Sequence, residues 1–223
     1  ITGIRFNPTW TVPPTIKRDD YLPKLREDPY YLSDRGIELM ENNMTLDPGQ
    51  VNWEEKTWAE VNAMRMVQGA GRTNPLGQVR VLMNNPYNIY LHDTPNKSYF
   101  SRANRALSSG CVRMEDSKAL ADFVLSPNKG WTTARMEKIL DAGERYDLAA
   151  EQSLPVYILY QTVWLGSDGQ IVYGPDLYGH DRKLLKELNN IGGIVYPVKD
   201  NSTKTALYEN SSISPLDLPT RKD

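Results

Sequence analysis

Apolar positions recur along this chain at two spacings: alternation in short runs through its first hundred residues, and three-and-four spacing afterwards. Residues 1–6 alternate apolar and polar side chains and run into Pro8, Pro13 and Pro14, which reads as an extended entry followed by turns. Residues 17–27 are polar with helical potential. Turn chemistry at Ser33-Asp34-Arg35-Gly36 and Leu46-Asp47-Pro48-Gly49-Gln50 brackets a short strand over residues 37–40. Over residues 52–61, Trp53 and Trp58 stand among glutamates, the pattern of a short helix lying on a surface. Beyond a loop at residues 69–77, the runs 79–83 and 88–92 read as core strands separated by Asn84-Asn85-Pro86.

The period then changes. Asp116 is placed to cap a helix over residues 116–125 with Ala119, Leu120, Phe123 and Val124 as its buried side. Thr132 and Thr133 precede a second helix carrying Met136, Ile139 and Leu140. Residues 155–165 and 170–173 flank Gly166-Ser167-Asp168-Gly169, hairpin turn chemistry, so the sheet is expected to resume there. A third helix is expected over residues 181–188, and the polar, aperiodic residues 199–223 read as a poorly ordered tail. The pattern divides the chain into a body from residues 1–19 and 76–198, an inserted cap over 20–75, and that tail.

Composition narrows the function. At 223 residues, 39% hydrophobic and 24% charged, the chain suits one core carrying an elaboration. Its 26 basic and 28 acidic residues give a formal charge of −2, which supplies no field for nucleic acid phosphates or anionic lipid. No apolar run approaches the roughly 20 residues that span a bilayer. Ile1 opens directly into strand-like sequence without a signal core, as expected of a piece of something longer. One cysteine allows no internal disulfide, so cysteine usage does not decide the compartment.

The chemistry concentrates in Tyr90-Leu91-His92-Asp93-Thr94-Pro95 and Ser108-Ser109-Gly110-Cys111-Val112-Arg113, which hold the single cysteine and one of two histidines, 19 positions apart. A thiolate is the nucleophile, and a free cysteine with a pKa of about 8.5 needs a base beside it at neutral pH. His92 is the best base on offer. Ser108, Ser109 and Gly110 are small enough for a substrate carbonyl to approach the N–H groups of Gly110 and Cys111 as an oxyanion hole. Tyr90, two residues before His92 in a strand, projects with it and is a second oxyanion donor candidate. Arg113 can favour the thiolate, bind a carboxylate, or form a structural ion pair.

Free cysteines are commonly buried and inert, but Ser-Ser-Gly before Cys111 and Arg113 after it argue against an apolar pocket. A second pair, His180-Asp181, raises a metal-dependent phosphohydrolase as an alternative. Two histidines are too few for such a site, and helix capping by Asp181 is the simpler account.

His92 with Ser108-Ser109-Gly110-Cys111-Val112-Arg113 resembles the signature of the YkuD-type L,D-transpeptidases, in which a histidine lies upstream of Ser-His-Gly-Cys-x-Arg or Asn. Leu76-Gly77-Gln78-Val79-Arg80, Tyr90-Leu91-His92-Asp93-Thr94-Pro95 and the hairpin from Val156 to Tyr173 are similar to the large periplasmic Gram-negative members, the YcbB group. The resemblance covers roughly residues 60–180. Ser109 departs from the pattern, since many members carry a second histidine there. The resemblance implies a mainly β (α+β) catalytic fold of sandwich or barrel-like form with short helices and an inserted cap. It implies that Cys111 attacks a peptidoglycan tetrapeptide donor at its third residue, and that a diaminopimelate amine resolves the thioester into a 3→3 cross-link. It further implies the Asp93 backbone carbonyl as third member of the catalytic group, carbapenem β-lactams as covalent inhibitors, a periplasmic location, and no cofactor or metal. An L,D-carboxypeptidase using water, or a non-catalytic peptidoglycan-binding module, are the alternatives.

Overall fold

The computed structural model describes residues 1–108 and 110–190. Ser109 and the expected tail over 199–223 lie outside the described residues. The chain divides into two compact units, Ile1–Pro155 and the segment from Val156 onward.

In the first unit the strands are β1 (Gly3–Phe6), β2 (Trp10–Thr11), β3 (Ile37–Glu41), β4 (Met44–Leu46), β5 (Arg65–Gln68), β6 (Val79–Leu82), β7 (Leu91–His92), β8 (Val112–Arg113) and β9 (Tyr146–Ala149). The helices are α1 (Pro14–Ile16), which runs through a π-turn at Lys17–Tyr21 into α2 (Leu22–Glu27), then α3 (Trp58–Ala63), α4 (Ser117–Leu125) and α5 (Thr133–Asp141). Two open sheets result, mainly β with short helices, and neither closes into a barrel.

The larger sheet has the order β8-β7-β6-β1-β9. The opening residues therefore form an interior strand: β1 pairs antiparallel with β6 on one side and with the edge strand β9 on the other. Alternation decides the faces. Ile4, Phe6, Val79 and Val81 are fully buried against α4 and α5, each contributing about 1.5–3 kcal/mol of apolar burial, while Arg5 and Arg80 between them project to the opposite side. The helices that cover the apolar face are capped as the sequence indicates: Asp116 accepts from the Ala119 N–H at 2.9 Å and Thr132 from the Arg135 N–H at 3.1 Å.

The second sheet, β2-β5-β3-β4, belongs to a separate core built from Trp10, Leu25, Leu32, Leu39, Trp53, Val61, Met64 and Met66 among others. Thr57 and Glu60 form a reciprocal capping box at the start of α3. The Lys17 ammonium donates to the Met64 and Asn62 carbonyls at the other end of that helix, at 2.6 and 3.1 Å.

Four local expectations are corrected. The helix expected over 52–61 starts only at Trp58, because Thr57 is the residue that caps it, and Trp53 lies in a turn. The buried side of α4 is Ser117, Ala121, Val124 and Leu125, whereas Phe123 is 66% exposed; the i, i+4, i+7, i+8 set faces β1 and β6. The sheet resumes not at the hairpin but at β9. The hairpin strands β10 (Val163–Leu165) and β11 (Ile171–Tyr173) form a sheet of their own in the second unit. In that unit α6 (His180–Asn190) is capped by Asp176, whose carboxylate accepts from the His180 and Arg182 N–H groups at 2.8 and 3.2 Å, so Asp181 is not the cap. His180 packs its ring against Tyr160 and Tyr178.

Candidate active site

The site grows from the one parallel pairing in the larger sheet among the described residues. Strands β7 and β8 run side by side with Leu91 opposite Val112 and His92 opposite Arg113. The Val112 N–H donates to the Tyr90 carbonyl at 3.1 Å and the Met114 N–H to the His92 carbonyl at 2.8 Å. Parallel neighbours need a crossover of a dozen or more residues, which accounts for the 19-residue separation of His92 and Cys111. Continuing the register back by one residue sets Tyr90 beside Cys111. Because Leu91 packs on the apolar core and Met114 is buried in it, Tyr90, His92, Cys111 and Arg113 fall on the face away from the helices.

His92 is buried, 6% exposed, and its Nδ1 lies 2.5 Å from the Asp93 carbonyl. A carbonyl only accepts, so Nδ1 carries the proton and Nε2 keeps a lone pair for taking one. Burial is the main influence holding the His92 pKa below its ordinary 6.5. The charges on Arg113 and Arg80 act in the same direction, and the Asp93 carbonyl and carboxylate oppose them.

Asp93 is fixed from several sides. Its carboxylate accepts from the Gln78 N–H at 2.9 Å and from the Lys97 ammonium at 2.7 Å, and its own N–H donates to the Val79 carbonyl. Lys97 also reaches the carbonyls of Met114 and Glu115 just past β8, joining the histidine side of the site to the cysteine side. Gly77 has φ +58°, and a Cβ there would overlap the Asp93 carboxylate, so this position combines a left-handed backbone with a close approach that only glycine allows.

Tyr90 has its ring centroid 5.9 Å from that of His92 and is half-buried, packed also against the core of the second sheet. Burial, then the neighbouring Cys111, raises its phenol pKa, while Arg80 lowers it. The Arg80 guanidinium carbon lies 3.8 Å from the centre of the Tyr90 ring. Cys111 is half-buried. It sits after Gly110, whose φ of +145° falls where side chains are disfavoured.

The Ser108 hydroxyl donates to the Cys111 carbonyl at 2.6 Å and accepts from the Gly110 N–H at 3.3 Å. Both residues thus shape the turn that presents the cysteine, and in this conformation the Gly110 N–H is occupied within its own loop. Arg113 donates to the Leu107 carbonyl at 3.1 Å and lies 4.9 Å from the Tyr99 ring centre.

Sequence reasoning missed Arg80, Lys97 and Gly77. Alternation between Val79 and Val81 was the available signal for Arg80. No sequence signal placed Lys97, since two of its three acceptors, the Met114 and Glu115 carbonyls, lie 17 and 18 residues further along the chain.

The geometry joins a thiol, an oriented neutral imidazole, a phenol and two guanidinium groups on one sheet face, an arrangement suited to acyl transfer through sulfur. The family profile of the YkuD L,D-transpeptidase catalytic domain matches residues 1–158. A Haemophilus influenzae protein named "Putative L,D-transpeptidase" is 37% identical over 191 residues, which cover 85% of this chain and 38% of that protein.

Proposed function

The chain belongs to the L,D-transpeptidase family with the YkuD catalytic domain, and from that premise we propose that it forms 3→3 cross-links between peptidoglycan stem peptides through a Cys111 thioester. The observation that carries this reading is the Asp93-oriented imidazole of His92 on the same strand pair as Cys111 and Tyr90.

In the proposed cycle His92 Nε2 takes the Cys111 proton and sulfur attacks the donor carbonyl. Charge gathers on the carbonyl oxygen, and the Tyr90 hydroxyl and the Cys111 N–H are the groups suited to receive it. The C–N bond then breaks as His92 returns its proton to the leaving amine, leaving a thioester. The side-chain amine of an acceptor stem attacks next, loses its proton to His92, and the thiol is restored by that same proton.

Residues 20–75 act as a cap in this reading. Support comes from Tyr90, which touches both the core of the second sheet and the site. Peptidoglycan lies outside the cytoplasmic membrane, so the proposal carries a periplasmic location. No helix among the described residues is long and apolar enough to cross a membrane. The chain spans about two fifths of the length of the relative it matches, and cross-linking by the whole protein is part of the proposal.

The test is product analysis with a disaccharide tetrapeptide, with and without an added acceptor stem. A cross-linked dimer that loses the donor's terminal residue is expected. A hydrolysed tripeptide alone would replace transfer with L,D-carboxypeptidase activity, and binding without turnover would leave only a peptidoglycan-binding module.

A further inference from the structure

Cross-strand pairing lines up one row of side chains on the open face of the larger sheet: Asp147, Arg5, Arg80, His92 and Arg113 are successive partners across β9, β1, β6, β7 and β8. Directly opposed residues in a ladder share a face, so the row runs from a carboxylate at one edge to the catalytic strand pair at the other.

The cations in this row are not equivalent. Arg5 is held bidentate by Asp147 at 2.7 and 2.6 Å, and Arg145 uses the same carboxylate. Arg113 donates to the Leu107 carbonyl. Arg80 differs from both. Among the described residues it has no carboxylate or hydrogen-bond acceptor, and its Nε is buried without a partner. Its guanidinium is stacked on Tyr90, a contact that engages the flat face and not the N–H groups in its plane. Burial is the main influence on its pKa, and Tyr90, Arg5, Cys111 and, least, Asp147 also act on it, so it lies near the candidate nucleophile.

We propose that Arg80 is the carboxylate-binding residue of the donor site, reading the free terminal carboxylate of the residue that leaves. This rests on the transpeptidase reading above. The distances are favourable. His92 returns its proton to the leaving amine, and in a C-terminal amino acid only one carbon separates that nitrogen from the carboxylate. Arg80 and His92 are direct antiparallel partners, with Cα atoms about 4.5–5.5 Å apart in such a pair. A leaving residue whose amine is at His92 therefore carries its carboxylate towards Arg80, where a planar fork meets a planar acceptor. Asp147 cannot compete for the site, being engaged by two other arginines.

The experiment compares two tetrapeptide donors that differ only at the terminus, free acid against primary amide, in wild type, Arg80→Gln and Arg80→Lys. The wild type is expected to favour the acid about tenfold to a hundredfold in kcat/KM, mostly through KM, as a charge-assisted hydrogen bond implies. Arg80→Gln should abolish that preference, so that the acid donor falls to the kcat/KM of the amide donor measured in the same variant, and Arg80→Lys should retain part of it.

Equal loss on both donors in Arg80→Gln, with a changed pH profile for alkylation of Cys111 by iodoacetamide, would overturn the assignment and make Arg80 a support for the thiolate. The same peptide pair is also measured by equilibrium binding to Cys111→Ala and to Cys111→Ala/Arg80→Gln. Absence of turnover in wild type would then count against the transpeptidase reading, while the acid-over-amide difference in binding still decides Arg80: present only with arginine, it stands; absent from both proteins, it falls. If Gln destabilises the sheet, the Lys variant supplies the same comparison with the charge retained.

Discussion

The two faces of the five-stranded sheet are made by the same short strands, yet they divide the work of the molecule. On one face Ile4, Phe6, Val79 and Val81 are shut away beneath α4 and α5. On the other, residues displaced by a single position carry Arg5, Arg80 and His92 in a row that ends beside Cys111. Alternation lets a strand stabilise the fold and present reactive groups without compromise between the two, so substitutions on the two faces should have separable consequences.

The largest expected effect breaks that comparison most openly. His92→Ala should lower cross-linking by about 10²–10⁴-fold, the usual contribution of a general acid–base group, with a much smaller change in melting. Phe6→Ala should do the reverse: a loss of about 3–5 kcal/mol in stability, with activity per folded molecule largely kept. Chemical denaturation and steady-state assay of both variants check this. Equal loss of stability and activity in each variant would show that the faces are coupled.

A smaller effect sharpens the electrical side of the comparison. In the proposed role His92 is a base only when neutral, and burial with two neighbouring guanidinium groups holds its pKa below 6.5. The acid limb of kcat/KM should therefore lie below pH 6.5, activity being present above the limb and lost as pH falls through it. Arg113→Gln removes one of the lowering charges and should move the limb upward, towards 6.5. A limb that stays in place would remove Arg113 from the field acting on the histidine.

The site was readable in the sequence to the extent that it depends on strand alternation and residue chemistry. Tyr90 and His92 two apart, and a lone cysteine in a small-residue turn before Arg113, suffice to group the candidate residues. The parallel pairing of β7 with β8 was not readable, because two-residue strands carry no periodicity and their partners are set by contacts distant in sequence. Strand β9 escaped for a related reason: Tyr146 and Asp147 are exposed or nearly so, and only Leu148 packs towards the core, so the segment lacks an apolar signature. The cap of α6 was misread because Asp181 stands at the right distance from the helix start for a simple reading, whereas Asp176 reaches it through a turn. Arg80 lay inside a recognised motif with no role attached, since nothing local indicates that the neighbouring Arg5 takes the available carboxylate.

The central claim is that Cys111 is the nucleophile of this face, and intact-protein mass spectrometry after incubation with a carbapenem tests it most directly. Such a β-lactam presents a strained amide where the donor carbonyl would lie, so acylation needs the thiol and its base but no acceptor. The account predicts one covalent adduct on the wild-type protein, and in Cys111→Ser an adduct that is absent or forms far more slowly. No adduct on the wild type, or an adduct at the wild-type rate on Cys111→Ser, would contradict it.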